Sequence, residues 1–149
     1  MNIMTILLVE DNPDEEKLAM IAFQKSGLKE TVEVARDGQE AVDYMLAQGD
    51  YQGRNVKDLP GVIFLDINLP KLSGIEVLRI LRTDPRTKHV PIVLLTSSDE
   101  PQDMIDGYES GANSYIHKPF DFHEFVLQIK TLGNYWIDYN RTPYAERRM

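Results

Sequence analysis

The sequence predicts an α/β protein in which helices cover both faces of a parallel sheet. Short runs rich in β-branched and aliphatic residues alternate with longer amphipathic segments in five βα units. The third and fourth runs are almost wholly apolar, as expected of strands that are buried on both faces. Polar residues follow several of the runs, at the points where the strands end. Together these observations predict a three-layer (βα)5 sandwich with its functional residues at one edge of the sheet.

The five βα units can be placed along the chain by their periodicity. The strands are predicted at residues 4–9, 31–35, 61–66, 90–95 and 114–117. The helices are predicted at residues 14–26, 38–48, 74–83, 100–110 and 121–137. Because the third and fourth strands are the most apolar, we expect them in the middle of the sheet.

Turn and capping residues support these boundaries. Asp37 leads into the second helix, and Pro85 ends the third because the residue before a proline disfavours the helical region. Ser98 or Asp99 is expected to cap the fourth helix. Gly107 inside that helix costs about 1 kcal/mol relative to alanine. The fourth helix is therefore predicted to be a mobile element.

The chain is expected to form one domain with a short tail. A length of 149 residues suits a single domain of ordinary size. We assign residues 1–138 to the domain and residues 139–149 to a C-terminal tail. The polar, charged stretch at residues 49–60 is longer than the usual connection and is predicted to be an exposed insertion.

The composition argues against several kinds of site and partner. The chain has no cysteine, so disulfides and thiolate metal sites are excluded, which fits a reducing cytoplasm. His89, His117 and His123 lack a second ligand at metal-binding spacing and are expected to be structural or solvent-facing. A formal net charge of -8 argues against binding to nucleic acid. No apolar run approaches membrane-spanning length, so we expect a soluble cytoplasmic protein.

Three carboxylates are expected to meet if the first and third strands are neighbours. Glu10 and Asp11 follow the first strand, and Asp66 follows the third. Like charges at close range oppose one another, and a bound divalent cation would relieve this conflict. The available ligands are all oxygen atoms, which suits Mg²⁺. Alternatively, Glu10 and Asp11 merely complement the dipole of the following helix, with Asn12 or Asp14 as its cap.

Asp66 is difficult to explain as a purely structural residue, because its charge comes directly after four positions expected to be buried. Thr96 and Lys118 also lie at strand ends. Each of these two would be ordinary alone. Together with the acids they suggest attack of a carboxylate on phosphorus, with cations neutralising the phosphoryl oxygens and the threonine contacting the product.

A set of short motifs carries a resemblance to a known family. The motifs are Glu10-Asp11, Asp66, Leu69-Pro70 with Gly74, Thr96-Ser97 and Lys118-Pro119. In this order, on five βα units, they resemble the receiver domain of two-component response regulators over about residues 4 to 135. The resemblance implies the flavodoxin-like sheet order 2-1-3-4-5.

The resemblance also implies a role for each residue of the phosphorylation site. Asp66 would be the phosphoacceptor, and Asp11 a direct Mg²⁺ ligand. Glu10 would act mainly through metal-bound water, and Asn68 would contribute its backbone carbonyl to the metal. Lys118 would pair with the phosphoryl group.

Further roles concern the response to phosphorylation. By the resemblance, Thr96 and Tyr115 would be a switch pair, in which the hydroxyl moves toward the phosphate and the ring turns inward. Asn68 and Ser98 match positions that tune hydrolysis of the acyl phosphate. The peptide bond between Lys118 and the following proline is expected to be cis.

The C-terminal region is rich in aromatic residues. Tyr135, Trp136 and Tyr139 follow the point at which a receiver helix could end. Such side chains need a surface to cover, so they either fold back onto the domain or pair with a second subunit. We favour a symmetric homodimer.

These features indicate a stand-alone response regulator. It would accept a phosphoryl group from a histidine kinase or a phosphotransfer protein and switch protein contacts, without being an enzyme itself. Three features are similar to those of the small response regulators that serve bacterial, chiefly cyanobacterial, phytochromes. They are the insertion at 49–60, Leu72-Ser73-Gly74 and Asn134-Tyr135-Trp136. This similarity implies a red-light-sensing kinase as the partner.

Two other functions stay open on the sequence. A receiver-like domain that has lost phosphorylation would act only as a binding module. A phosphatase of the haloacid dehalogenase type would also use an aspartyl phosphate, but its pattern requires a second aspartate where this chain has Asn68. Its nucleophile would also follow the first strand instead of the third.

Overall fold

The structure, a computed structural model, describes residues 4–144. The strands are β1 (Thr5–Val9), β2 (Thr31–Ala35), β3 (Val62–Leu65), β4 (Ile92–Thr96) and β5 (Ser114–His117). The α-helices are α1 (Pro13–Ser26), α2 (Gly38–Leu46), α3 (Gly74–Thr83), α4 (Pro101–Glu109) and α5 (Phe122–Gly133). A short 3-10 helix spans Gly49–Tyr51, and a π-helical extension spans Asn134–Tyr139. Across the described chain, no helix is long and apolar enough to cross a bilayer.

The five strands form one parallel sheet in the order β2-β1-β3-β4-β5, as predicted. Every residue of β3 is buried, and β1 and β4 flank it. This position explains the continuous apolar runs, because helices cover both faces of the inner strands. One core cluster lies between the sheet and α2 and α3, and the other lies between the sheet and α1 and α5.

Side chains cap the first three helices, and the caps of α1 and α2 lie at residues that the sequence indicated. The Asn12 side chain accepts hydrogen bonds from two backbone N–H groups of α1, and Asp37 caps α2. α3 begins with a capping box formed by Ser73 and Glu76. These contacts satisfy N–H groups that have no partner within their own helix.

The predicted cap of α4 is wrong. The N-cap residue is Glu100, and among the described atoms its side chain makes no capping hydrogen bond. Because the next residue is Pro101, Glu100 takes an extended conformation and fixes the start of the helix at the proline. Ser98 still contributes, because its hydroxyl accepts the Glu100 N–H and donates to the Asp103 carboxylate.

Three other boundaries differ from the prediction by two residues or more. α2 ends at Leu46 because Ala47 takes a left-handed conformation, with φ of 53°. β4 begins at Ile92 because Val90 belongs to a turn, in which its N–H donates to the Thr87 carbonyl. α5 is α-helical only to Gly133, and the chain then continues as the π-helical extension.

The insertion at 49–60 is attached to α2. The Tyr51 hydroxyl donates to the Glu40 carboxylate at 2.6 Å, and this hydrogen bond, with partial burial, raises the pKa of Tyr51 to about 12. The Arg54 guanidinium lies 3.7 Å from the centroid of the Tyr44 ring and also donates to the Tyr44 carbonyl. Most of the insertion is exposed, as predicted, but Leu59 at its end is buried.

The aromatic C-terminal region is divided between the core and the surface. Ile137 is fully buried, and Trp136 packs partly against the core between α1 and α5. Tyr135 and Tyr139 are exposed. The extension therefore folds back onto the domain on one side and leaves two tyrosines on the other. The predicted tail is described as far as residue 144, and residues 145–149 lie outside the described part.

Candidate functional site

The carboxyl-terminal edge of the sheet gathers the predicted site residues. Glu10 follows β1 and Asp66 follows β3, whose last residues, Val9 and Leu65, are direct partners in the sheet. Thr96 is the last residue of β4, and Lys118 follows β5. Because all five strands are parallel, these side chains meet at one edge.

Three carboxylates form a tight cluster at this edge. Oxygen atoms of Glu10, Asp11 and Asp66 all lie within 4.8 Å of one another. Glu10 is buried, Asp66 is half-buried and Asp11 is exposed. The Asp66 carboxylate accepts the Ile67 N–H at 2.7 Å, which fixes its orientation. We refer to these three residues as the acidic cluster.

Lys118 supplies a positive charge within the acidic cluster. Its ammonium lies 2.7 Å from the Glu10 carboxylate and 3.8 Å from Glu15. Burial alone would lower the pKa of Lys118, but the hydrogen bond and charge of Glu10, with the charge of Asp66, raise it above its ordinary value. Burial raises the pKa of Glu10, and Lys118 opposes this change. The short contact identifies a buried ion pair.

The acidic cluster fits a divalent cation. Its three negative charges face the single positive charge of Lys118, so two negative charges are left without compensation. Oxygen ligands about 2.1 Å from a shared Mg²⁺ ion lie at most about 4.2 Å apart, so small side-chain movements would bring all three onto one ion. The charge and the all-oxygen donor set both suit Mg²⁺.

The alternative role of Glu10 and Asp11, as acids that merely complement the α1 dipole, came with Asn12 or Asp14 as the helix cap. Asn12 is that cap, because it accepts hydrogen bonds from the Asp14 and Glu15 N–H groups. Glu10 instead accepts the Asn12 N–H and pairs with Lys118, so its side chain is directed to the site.

The predicted switch residues both contact the loop between β4 and α4. Thr96 is fully buried, and its hydroxyl oxygen accepts the Ser98 N–H at 3.2 Å. Tyr115 is half-buried, and its hydroxyl donates to the Ser98 carbonyl at 3.2 Å. Both side chains therefore contact the same residue of the loop between β4 and α4.

Of the two residues predicted to tune hydrolysis of the acyl phosphate, one is exposed and the other is hydrogen-bonded to α4. Asn68 is exposed in the loop after β3, two positions past Asp66. The Ser98 hydroxyl is engaged with α4, because it donates to Asp103 at 2.5 Å. Ser98 thus links the end of β4 to the first turn of α4.

The expected cis peptide between Lys118 and Pro119 is wrong, because this bond is trans. The trans form is the intrinsically favoured state of a peptide bond before proline, by about 0.5–1 kcal/mol. Lys118 reaches Glu10 from this trans arrangement.

Sequence reasoning missed two features near the site. Glu15 approaches Lys118 from the first turn of α1. His117, expected to be structural or solvent-facing, lies 2.9 Å from the Asp99 carboxylate. The sequence carries no signal for this contact, because it depends on the sheet register that places His117 opposite Thr96.

Comparison with known proteins is consistent with this geometry. Residues 6–130 match the family model of the response regulator receiver domain. The probable methanogenesis regulatory protein FilR2 of Methanothrix harundinacea is 38% identical over 139 residues, which cover 93% of this chain and 86% of that protein.

Two cyanobacterial response regulators are similar in sequence and structure. Rcp1 of Synechocystis is 31% identical over 140 residues, covering 94% of this chain and 93% of that protein. The crystal structure of its Mn²⁺-bound form has a TM-score of 0.83 over 94% of this chain and 99% of that chain. The structure of the phosphorylated cyanobacterial phytochrome response regulator RcpA is 33% identical, with a TM-score of 0.86 over 95% of this chain and 99% of that chain. Because the family model matches most of the sequence and spans the strands that carry the acidic cluster and Lys118, this chain belongs to the response regulator receiver domain family.

Proposed function

We propose that this protein is a response regulator that is phosphorylated on Asp66 by a histidine kinase or a phosphotransfer protein. The observation that carries the proposal is the half-buried Lys118 ammonium, which pairs with Glu10 in a cluster of three carboxylates whose oxygens lie within 4.8 Å of one another. Such a cluster combines a nucleophile with cations that stabilise phosphoryl oxygens.

The proposed reaction is a transfer of one phosphoryl group between side chains. An oxygen of Asp66 forms a bond to phosphorus while the bond to the imidazole nitrogen of the donor histidine breaks, and the imidazole takes up a proton. Asp11 and Asp66 would hold Mg²⁺ directly, Glu10 would act mainly through metal-bound water, and the Asn68 carbonyl would be a further ligand. The ion would supply charge neutralisation. Lys118 exchanges part of its contact with Glu10 for a phosphoryl oxygen.

The response to phosphorylation is proposed to use the loop between β4 and α4. The Thr96 hydroxyl would donate to the new phosphoryl group, and Tyr115 would follow the loop because it contacts Ser98. Asn68 and Ser98 would tune hydrolysis of the acyl phosphate. Asn68 would act through its exposed position, and Ser98 through its hydrogen bond to Asp103. The protein would act through these contacts rather than as an enzyme.

Metal removal tests the proposed phosphorylation directly. The protein incubated with Mg²⁺ and acetyl phosphate is expected to gain the mass of one phosphoryl group, and a peptide containing Asp66 should carry it. With EDTA in excess over Mg²⁺, uptake should fall by at least about a hundred-fold, because the negative cluster then repels the donor. Intact-mass spectrometry measures both states.

Two results would contradict the proposal. No mass gain with any small donor in the presence of Mg²⁺ would favour a receiver-like binding module. Continuous release of phosphate from unrelated esters would favour the phosphatase alternative.

The partner is proposed to be a histidine kinase of the phytochrome type. Support comes from the similarity over 95% of this chain to RcpA, which is described as a cyanobacterial phytochrome response regulator. FilR2, described as a probable methanogenesis regulator, is similar to a comparable extent. Faster phosphotransfer from a phytochrome kinase than from unrelated kinases would support the light-sensing assignment. We propose that this phosphotransfer takes place in the cytoplasm. Residues 1–138 are proposed to be the receiver domain and residues 139–149 its C-terminal tail.

The protein is also proposed to form a homodimer through its C-terminal extension. Tyr135 and Tyr139 are 51% and 75% exposed, whereas the neighbouring Ile137 is buried and Trp136 is partly buried. Exposed aromatic side chains on a folded-back segment are suitable anchors for a second subunit.

Replacing both exposed tyrosines by serine is expected to convert the dimer to a monomer in sedimentation analysis. Ile137 stays in place in this variant, so the fold is kept, whereas truncation after Gly133 would also remove a buried side chain. Tyr108→Ser is the matched control, because Tyr108 on α4 is also 51% exposed. A wild-type protein that sediments as a monomer, or a double variant that stays dimeric, would contradict the assignment.

A further inference from the structure

Two side chains of β5 attach the loop between β4 and α4. Tyr115 and His117 are two residues apart on this edge strand, so they point to the same face. The Tyr115 hydroxyl donates to the Ser98 carbonyl at 3.2 Å, and His117 Nε2 lies 2.9 Å from the carboxylate of Asp99. Two consecutive residues of the loop are therefore attached to β5.

The loop is directly connected to the proposed phosphorylation site. It begins at Thr96, which lies opposite His117 in the sheet, and the Thr96 carbonyl accepts the Lys118 N–H at 2.8 Å. The Thr96 hydroxyl oxygen also accepts the Ser98 N–H. Movement of the loop therefore changes the surroundings of the Thr96 hydroxyl.

We propose that His117 is a positioning residue that holds the loop between β4 and α4 on β5 more tightly when its imidazole is protonated than when it is neutral. An ion pair with Asp99 requires the charged imidazole. Histidine changes its charge between about pH 5 and 8, whereas tyrosine keeps its proton throughout that range. The His117 contact therefore responds to pH, and the Tyr115 contact does not.

The other charged groups near His117 have partners of their own or lie across a cavity. They are Glu15 of α1 and Lys118 after β5, and from α4 Asp103 contacts Ser98, the loop residue before Asp99. Lys118 pairs with Glu10, and Asp103 accepts the Ser98 hydroxyl. Glu15 borders the same cavity of about 230 Å³ as His117 and Asp99. From α5, the neutral Gln128 donates to the His117 carbonyl at 3.4 Å.

The exposure of the two side chains sets how strongly the His117–Asp99 ion pair stabilises the attached loop. The side chains of His117 and Asp99 are 45% and 89% exposed, so water and salt screen their attraction. Exposed ion pairs of this kind change a local opening equilibrium by about two- to five-fold. The effect is large enough to measure and too small to decide whether the protein folds.

Amide hydrogen exchange of residues 97–103 tests the attachment. Protection, corrected for the intrinsic exchange rate at each pH, is expected to be about two- to five-fold higher at about pH 5.5 than at about pH 8. His117→Gln and Asp99→Asn should remove this difference. His117→Lys should show high protection at both pH values, because its charge does not titrate in this range.

His123→Gln is the control, because His123 is an exposed histidine on α5. It is expected to behave as wild type. Equal protection at both pH values in the wild type, or a difference that persists in His117→Gln, would overturn the proposal.

A consequence for phosphorylation rests on the proposed function. The ratio of wild-type to His117→Gln phosphorylation rates with acetyl phosphate should be about two- to five-fold higher at the lower pH, because a fastened loop holds Thr96 in place before transfer. Taking this ratio cancels the effect of pH on the donor. A rate ratio that does not change with pH would show that the His117 contact does not affect phosphorylation. A wild type that takes up no phosphoryl group would contradict the proposed function, but the amide hydrogen exchange result would still stand.

Discussion

The Asp66→Asn variant is expected to take up no measurable phosphoryl group under conditions in which the wild type gains one. The amide lacks the anionic oxygen that would attack phosphorus, and loss of a nucleophile typically costs more than about two orders of magnitude in rate. It also removes one of the three negative charges of the acidic cluster. Intact-mass spectrometry after incubation with Mg²⁺ and acetyl phosphate measures the loss.

The loss in Asp66→Asn should come from chemistry rather than unfolding. The wild-type carboxylate accepts the Ile67 N–H, and an asparagine carbonyl oxygen can accept the same hydrogen bond. The free energy of unfolding should therefore change by less than about 1 kcal/mol. Asp14→Asn, at an exposed carboxylate in the first turn of α1, serves as the control and should be phosphorylated normally. Phosphorylation of Asp66→Asn at the wild-type rate would exclude Asp66 as the phosphoacceptor.

The Gly74→Ala variant is expected to lose about 3 kcal/mol or more of the free energy of unfolding. A Cβ atom at Gly74 would lie 2.1 Å from the Asp66 carbonyl oxygen and 2.8 Å from the Ile67 Cα atom. Both are backbone atoms, so relief requires a shift of the segment that carries the phosphoacceptor. Chemical denaturation measures the change, and the midpoint of thermal unfolding should fall by about 10 °C.

The same substitution should also reduce phosphorylation of the molecules that remain folded. Gly74 N–H donates to the Ile67 carbonyl at 2.8 Å, so a shift at Gly74 moves the residues next to Asp66. The matched control is Gly53→Ala, since no described atom lies within 4 Å of a Cβ at that position. This control should change stability by less than about 0.5 kcal/mol. Equal stability of the two variants would show that the close approach at Gly74 is relieved without cost.

Much of the fold could be predicted because local and periodic signals agree with the tertiary structure. The apolar run of β3 required burial on both faces, and the structure places it at the centre of the sheet. The cap residues Asn12, Asp37 and Ser73 act over two or three positions, so the sequence contains the whole interaction. The strand order itself came from the resemblance to receiver domains, and the sheet confirms it.

The predictions failed where a contact joined distant parts of the chain or where two local rules competed. The cap of α4 moved to Glu100 because the restriction imposed by Pro101 outweighed the preference for serine or aspartate. Arg54 packs on Tyr44, and no periodic pattern marks this pair. Ile137 is buried because it covers the glycine before β3, Gly61, which lies far away in the sequence.

The sequence by itself determined that this chain forms a parallel α/β sheet and that acids, a threonine and a lysine end its strands, because strand periodicity and strand ends are local properties. The tertiary structure alone decided how close these groups come and which of them pair. Lys118 and Glu10 are 108 positions apart and meet at 2.7 Å because β5 and β1 end at the same edge of the sheet. Likewise, His117 meets Asp99 because sheet register, a property of two strands together, sets their separation.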